Sequence, residues 1–413
     1  MLSVQTICNN ARQASYTLAL CDSDTKNRAL LAIADCIERE SASILQANAL
    51  DLQAADALGT AMQDRLRLTE ARIRAMAEGV RQVAQLPDPV GTTVSEFTRP
   101  NGLRIRKVRV PFGVIGVIYE ARPNVTVDVA ALCLKSGNCV VLRGGKEAIH
   151  SNRALAQIVC NGLEQAGLPS GCVGFIDDTT RTSSQELLQQ SETVDVIIPR
   201  GGDGLKQFVT EHAKMPVIAS AGGNCHLYVE QSADLDMAQS VVYNAKMSRP
   251  SVCNALEQLL VDRAIAAKFL PPMLERLHKD GCRIVGCAET CAIVPFATLA
   301  KEEDYATEHH DYELTVKVVD GPDEAIDRIN RYNTRHSDGI LTQNDAIAQL
   351  FTRKVDAACV YVNASTRFTD GFEFGFGAEI AISTQKLHAR GPLGLEQLTS
   401  EKYVIVGNGQ VRQ

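Results

Sequence analysis

The 413-residue sequence predicts an α/β protein with two doubly wound domains and a small β element. Three observations lead there. From residue 112 to residue 219, short apolar runs alternate with amphipathic helical stretches, the pattern of a parallel sheet buried on both faces and joined by crossover helices. A second series of the same kind begins near residue 225 and runs to about residue 363. Short β-favouring stretches before the first series and at the C-terminus belong to neither. A chain this long also exceeds what one hydrophobic core usually serves.

The elements follow in order. From Thr25 to about Leu58, and again from Thr69 through "TEARIRAMAEGVRQVAQL", apolar residues recur at helical spacing, so the first hundred residues are mainly amphipathic helix. "PDPVG" closes that region. "TTVSEFTRP" and "LRIRKVRV", separated by the turn signal "RPNG", read as a β-hairpin. The first strand series is "FGVIGVIYE", "GNCVVLRG", "CVGFID", "VDVIIP" and "MPVIA", with helices expected over "NVTVDVAALCLKS", "SNRALAQIVCNGLEQAG" and "TSSQELLQQS". The second series includes "CHLYVE", "CAIVPFA", "LTVKVVD" and "AACVYVN", before the glycine- and aromatic-rich "STRFTDGFEFGFGAE". "EKYVIVGNGQ" is a strand without a local partner, to be paired with the hairpin or with another subunit.

Bulk properties narrow the function. The formal charge of -7 is spread without a basic face, so nucleic acid is not an expected partner. No run approaches a bilayer span and the first residues lack a signal-peptide core, so a cytoplasmic protein without membrane contact is expected. Thirteen scattered cysteines suit reduced thiols. Cys282, Cys287 and Cys291 lack CxxC spacing, so no metal is expected; nor can the adjacent histidines of "EHH" both face one site.

Two glycine turns follow strands and lead into helices: Arg143, Gly144, Gly145 and Lys146 in "VVLRGGKEA", and Gly201, Gly202 and Gly204 in "VIIPRGGDGLKQFV". Such turns let a phosphate approach the backbone at a helix start, although plain architecture uses them too, and neither is GxGxxG. Cys253, in "SRPSVCNALEQLL", lies near Arg249 at a helix or strand entrance, where a thiolate is stabilised; packing sulfur is the other reading.

Taken in order, "YEARPN", "GNCVVLRGGKEA", "AGGN", Cys253 followed by Asn254, and "VYVNASTRFTD" resemble the aldehyde dehydrogenase superfamily over nearly the whole chain. More narrowly, "RPSVCN", "VNASTRFTDG" and "STQKLHARGPLGLE" resemble the γ-glutamyl phosphate reductase family. The resemblance implies an aldehyde dehydrogenase-like fold and NADPH-dependent reduction of L-glutamate 5-phosphate to the 5-semialdehyde and phosphate in proline biosynthesis. It makes Cys253 the nucleophile that forms a thioacyl intermediate. Asn124, in "RPN", falls where an amide joins the cysteine N–H as oxyanion donor, and otherwise reads as a turn residue.

The same resemblance assigns Arg143, Lys146 and Glu308 to the cofactor, with Arg143 and Glu308 at positions that touch the two riboses, and the glycine turn adds Gly201 and Gly202. Lys146 stands where NAD-preferring relatives often have glutamate, so a 2′-phosphate and NADP(H) are expected. Arg122, Arg249, Arg367, His388 and Arg390 are the candidates for the substrate's phosphate and carboxylate, each equally open to a structural ion pair. "ASAGGNC" carries no acid where hydrolytic relatives keep a general base, which suits exchange with phosphate rather than water and weakens the alternative of an oxidising NAD-dependent dehydrogenase. A third reading is a non-catalytic nucleotide-binding or thiol-sensing protein.

The expected organisation is a cofactor-binding domain over residues 1–94 and 114–227, a catalytic domain over 228–390, and an oligomerisation element over 95–113 and 391–413. A homo-oligomer is expected, and the preceding glutamate kinase is a further candidate partner.

Overall fold

The computed structural model describes residues 2–55, 60–220 and 222–412. Leu58, where the first helical reading ends, and Ala221, inside "ASAGGNC", lie outside them. Two compact units form: residues 1–219 with 375–381 and 393–413, and residues 220–374 with 382–392.

The first unit opens with α1 (Val4–Leu18), α2 (Ser23–Arg39), α3 (Ser41–Ala54), α4 (Thr60–Leu66) and α5 (Glu70–Gln85). Ser3, Asp22 and Thr69 cap α1, α2 and α5 by accepting from a backbone N–H of the first turn, which satisfies a donor the helix cannot. The hairpin is β1 (Thr93–Thr98) and β2 (Arg104–Pro111), turned at Gly102 with φ 86°. The C-terminal strand Thr399–Val406 pairs antiparallel along the whole of β2, from Thr399 opposite Pro111 to Val406 opposite Arg104. Val94, Phe97, Tyr403, Ile405 and Val406 stay exposed on this three-stranded sheet. Asn138 fastens it to its unit, donating to the Leu398 carbonyl and accepting from Gly113.

The doubly wound part of this unit runs β3 (Val114–Tyr119), α6 (Asn124–Lys135), β4 (Cys139–Gly144), α7 (Ile149–Gln165), β5 (Val173–Phe175), α8 (Arg181–Leu188), β6 (Val196–Arg200) and α9 (Asp203–His212). The sheet order is β5-β4-β3-β6, all parallel, with every residue of β3 buried. The chain reverses its direction of travel between β3 and β6, and such a switch point opens a crevice at the carboxyl ends of the strands. "MPVIA" does not form the expected strand: it makes one bridge, Val217 to Ile197, because Pro216 accepts from Ile197 but has no N–H with which to continue the ladder.

The second unit runs β7 (Cys225–Val229), α10 (Leu235–Met247), β8 (Leu256–Asp262), α11 (Arg263–Lys279), β9 (Arg283–Gly286), α12 (Ala288–Ile293), β10 (Thr298–Leu299), β11 (Glu313–Val319), α13 (Pro322–Tyr332), β12 (Ser337–Leu341), α14 (Asp345–Lys354) and β13 (Cys359–Val362). Its parallel sheet has the order β10-β9-β11-β8-β7-β12-β13. Leu227, Leu259, Val261 and Val316 pack with Phe269, Leu274 and Leu277 on one face; Tyr228, Leu260 and Ile340 pack with Ile326 and Phe351 on the other. Because β7 pairs with β8 and β12, residues 220–227 group with the second unit rather than the first. The hairpin and the C-terminal strand group with that first unit, and Gly391 and Pro392 with the second.

"CAIVPFA" is not the expected strand either. Cys291 to Ile293 complete α12, the Cys291 N–H bonding the Cys287 carbonyl, and the next strand waits until Thr298, beyond Pro295. Strand β12 escapes sequence reading because Ser337, Asp338 and Gly339 replace an apolar run; Asp338 is fully buried but accepts from the His226 backbone N–H, from its ring, and from Asn333. Among the described residues no helix is long and apolar enough to cross a membrane.

Candidate active site

Cys253 lies in the turn between α10 and β8, half-buried, at the amino end of a parallel strand. Its backbone is held from two sides. Gly223 lies so close that a Cβ there would sit 2.7 Å from the Cys253 Cα and closer still to its carbonyl group. The Cys225 thiol donates to the Cys253 carbonyl at 3.2 Å, and burial pushes that thiol well above its ordinary pKa, so it stays S–H.

Asn254 completes the clamp. Its Nδ2 donates to the carbonyls of Arg367 and Thr369 at 3.2 and 2.9 Å, while its own carbonyl accepts from Thr366 Oγ1 at 2.7 Å. Thr369 is fixed in turn by Ser337 Oγ and Tyr361 OH. The "SRPSVCN" and "STRFTD" segments are thereby locked together, and Arg367 Nε reaches Ser248 Oγ at 3.1 Å. Burial holds the Arg367 guanidinium below its usual pKa, the neighbouring Arg249 charge acts the same way, and Cys253 opposes both. Arg249 is exposed. A thiol and two guanidiniums therefore share one electrostatic neighbourhood, a setting suited to an anionic substrate.

The other second-unit candidates divide. Glu308 lies over Gly222, where a Cβ would come 3.2 Å from its carboxyl carbon. His310 stands 3.4 Å from Glu308 Oε2, and Oε1 is buried without a hydrogen-bond partner. His309 turns away to Thr315 and Glu313. Arg390 pairs with Asp356 at 2.8 Å beside Lys386, and His388 is exposed. Among the described residues no cluster of three metal-ligating side chains occurs.

In the first unit the candidates gather at the carboxyl ends of the strands. After β6, the Gly202 N–H donates to Glu120 Oε2 at 2.9 Å, and a Cβ on Gly201 would strike the same carboxylate and Leu205. At the end of β4, Arg143 donates to the carbonyls of Gly144, Thr179 and Thr180, tying the strand end to the turn after β5; burial, its largest influence, lowers its pKa. Lys146 is exposed at the start of the short 3-10 turn ahead of α7. Glu147 folds back over Gly145 and accepts the Ala121 N–H at 2.7 Å, which holds Ala121 at φ 43°, a conformation costly for a residue with a Cβ. Arg122 next to it is exposed.

Asn124 is the first residue of α6 and donates from Nδ2 to Asp128 Oδ2 at 2.8 Å. Burial raises the Asp128 carboxyl to about 6, against the Asn124 bond and the Arg200 charge. In the first unit, a switch-point crevice and an exposed lysine at a helix start are features that fit a nicotinamide dinucleotide, while the Glu120 and Glu147 carboxylates lie over Gly201 and Gly145. Sequence reading missed Gly223, Asp128, Glu147 and the Asn254 clamp. Only Asp128 had a signal, its spacing one helical turn from Asn124.

A sheet with a switch-point crevice, and a second sheet with a clamped thiol at a strand entrance, make up an aldehyde dehydrogenase-like architecture. The model of the aldehyde dehydrogenase family matches residues 2–292. A gamma-glutamyl phosphate reductase of Moorella thermoacetica is 55% identical over 414 residues, covering 100% of this chain and 99% of its own. The crystal structure of gamma-glutamyl phosphate reductase from Thermotoga maritima superposes with a TM-score of 0.98 at 45% identity, covering 100% of both chains. An acetylating aldehyde dehydrogenase from Geobacillus thermoglucosidasius, at 17% identity and a TM-score of 0.69 over 99% of this chain and 97% of its own, shares the fold. The chain belongs to the aldehyde dehydrogenase family and, within it, to the gamma-glutamyl phosphate reductases.

Proposed function

We propose that the chain reduces L-glutamate 5-phosphate to L-glutamate 5-semialdehyde with NADPH, releasing phosphate, as a step of proline biosynthesis in the cytoplasm. The observation that carries this reading is the clamped turn of Cys253, with Arg249 and Arg367 acting on the same neighbourhood, in a chain 55% identical to a relative of that name.

The Cys253 thiolate attacks the acyl carbon of the substrate and forms a C–S bond. The C–O bond to phosphate then breaks, the electron pair leaving with phosphate, and a thioester remains on the protein. Arg249 and Arg367 stabilise the substrate's anionic groups; Arg122, His388 and Arg390 complete the set of candidates, with Arg390 oriented by Asp356. Asn124 donates its amide N–H to the oxyanion that forms at the acyl carbon, a contact worth about 3 to 4 kcal/mol in the transition state.

The nicotinamide cofactor, when bound, supplies the hydride that takes the thioester to the aldehyde. The turns at Arg143 and at Gly201 and Gly202 are the candidates for its phosphates, which would have to displace the Glu120 carboxylate from Gly202 and the Glu147 carboxylate from above Gly145; Lys146 favours a 2′-phosphate, and Glu308 accepts from ribose hydroxyls. No acid stands between Ala219 and Cys225 in the sequence to activate water against the thioester. The exposed apolar strands around Phe97 and Tyr403 support a homo-oligomer.

The test is NADP+ reduction followed by absorbance, with glutamate 5-semialdehyde as substrate. The reading requires turnover that depends on added phosphate. Equal turnover without phosphate would assign the chain to the oxidising aldehyde dehydrogenases instead.

A further inference from the structure

Asn124 and Asp128 share one side of α6, with the Asp128 Oδ2 2.8 Å from the Asn124 Nδ2. A carboxylate has no hydrogen to give, so only the nitrogen end of the amide can rest against it; the oxygen end would set two acceptors together. An amide nitrogen carries two hydrogens. One bond to Asp128 leaves the second available to another acceptor, and Asn124 is only half-buried. Burial raises the Asp128 carboxyl to about 6, with the Asn124 bond and the Arg200 charge at the end of β6 opposing it, so the carboxylate form prevails above that pH. No side-chain cap is made at this helix start, so nothing in ordinary capping accounts for the pair.

We propose that Asp128 is a positioning residue for the reaction: it fixes the Asn124 amide with its nitrogen inward and presents the remaining N–H to the oxyanion. The inference rests on the reading of Asn124 as oxyanion donor. The role given to Asp128 acts through Asn124 alone. Without it the amide can flip or change rotamer, and the donor is present for only part of the time.

The test is a cycle of Asn124→Ala, Asp128→Leu and the double variant, with Asp128→Asn as the conservative replacement, each assayed for kcat and KM with glutamate 5-semialdehyde, phosphate and NADP+. Loss of an oxyanion donor lowers kcat about 100-fold to 1,000-fold, and N124A is expected in that range. D128L is expected to lower kcat about tenfold or more with KM for the semialdehyde unchanged, and D128N to recover part of the loss because its amide oxygen still accepts. The double variant should match N124A within about threefold, since the two act as one unit.

If N124A keeps its kcat, the oxyanion reading falls and Asp128 falls with it. If N124A loses kcat but D128L stays within about twofold of the unaltered chain, the reading of Asn124 stands and the positioning role is overturned. A double variant whose loss is the product of the two single losses would overturn it as well. Should D128L fail to fold, as judged by its melting transition, D128N decides alone: a fall in kcat coupled to N124A supports the role, and independence from N124A refutes it.

Discussion

Gly223→Ala should damage catalysis more than any other single methyl group added to the second unit. The new Cβ would lie 2.7 Å from the Cys253 Cα and nearer still to its carbonyl group. All three opposing atoms are backbone, so no rotamer change can relieve the clash. One of the two strands of chain must retreat by about 1 Å or more, and displacements of that size cost on the order of 100-fold in rate when a reacting group is moved. That corresponds to about 2.7 kcal/mol. The retreat would also break the Cys225 bond to the Cys253 carbonyl. The assay is kcat/KM for phosphate-dependent NADP+ reduction, with binding of NADPH followed by fluorescence and folding by the melting transition. A variant that folds, binds NADPH and loses about 100-fold is expected. A folded variant with more than about a third of the original kcat/KM would refute the argument that this glycine sets the position of the cysteine.

Lys146→Glu should move the ratio of catalytic efficiencies from NADP(H) towards NAD(H), measured by comparing kcat/KM for the two cofactors; an unchanged ratio removes Lys146 from the 2′-phosphate. Glu257→Ala should destabilise the chain by about 3 to 5 kcal/mol in denaturant melts, because it strands the Lys246 ammonium, fully buried 2.9 Å from the lost carboxylate. A loss below about 1 kcal/mol would mean that water reaches Lys246. Cys253→Ser should abolish turnover and leave NADPH binding intact; retention of more than a few per cent of activity would exclude covalent catalysis there.

Sequence periodicity exposed the elements whose burial is apolar and regular. β3, with six buried residues, and the helices α2, α5 and α7 are of that kind. It failed where polar groups are buried in pairs. Ser337 and Asp338 carry no strand pattern, yet they lie in an interior strand because Thr369 and His226, distant in sequence, and the nearby Asn333 satisfy them. Apolar content misled in "MPVIA" and "CAIVPFA", where a proline removes the N–H a ladder needs.

The site was legible to a similar degree. The motifs point to Cys253, Arg249 and Arg367, whereas the Asn254 clamp that ties the cysteine turn to the Arg367 segment is a set of bonds to backbone carbonyls that no side-chain pattern encodes. Arg143 was named for a cofactor contact, yet most of its guanidinium is spent on the carbonyls of Gly144, Thr179 and Thr180, positions fixed only by folding.

Mass spectrometry of the enzyme mixed with L-glutamate 5-phosphate and no nucleotide tests the central claim most directly. A glutamyl thioester should accumulate on the peptide that carries Cys253 and disappear when NADPH is added. An unmodified Cys253, or an adduct on Cys225 or another thiol, would contradict the account.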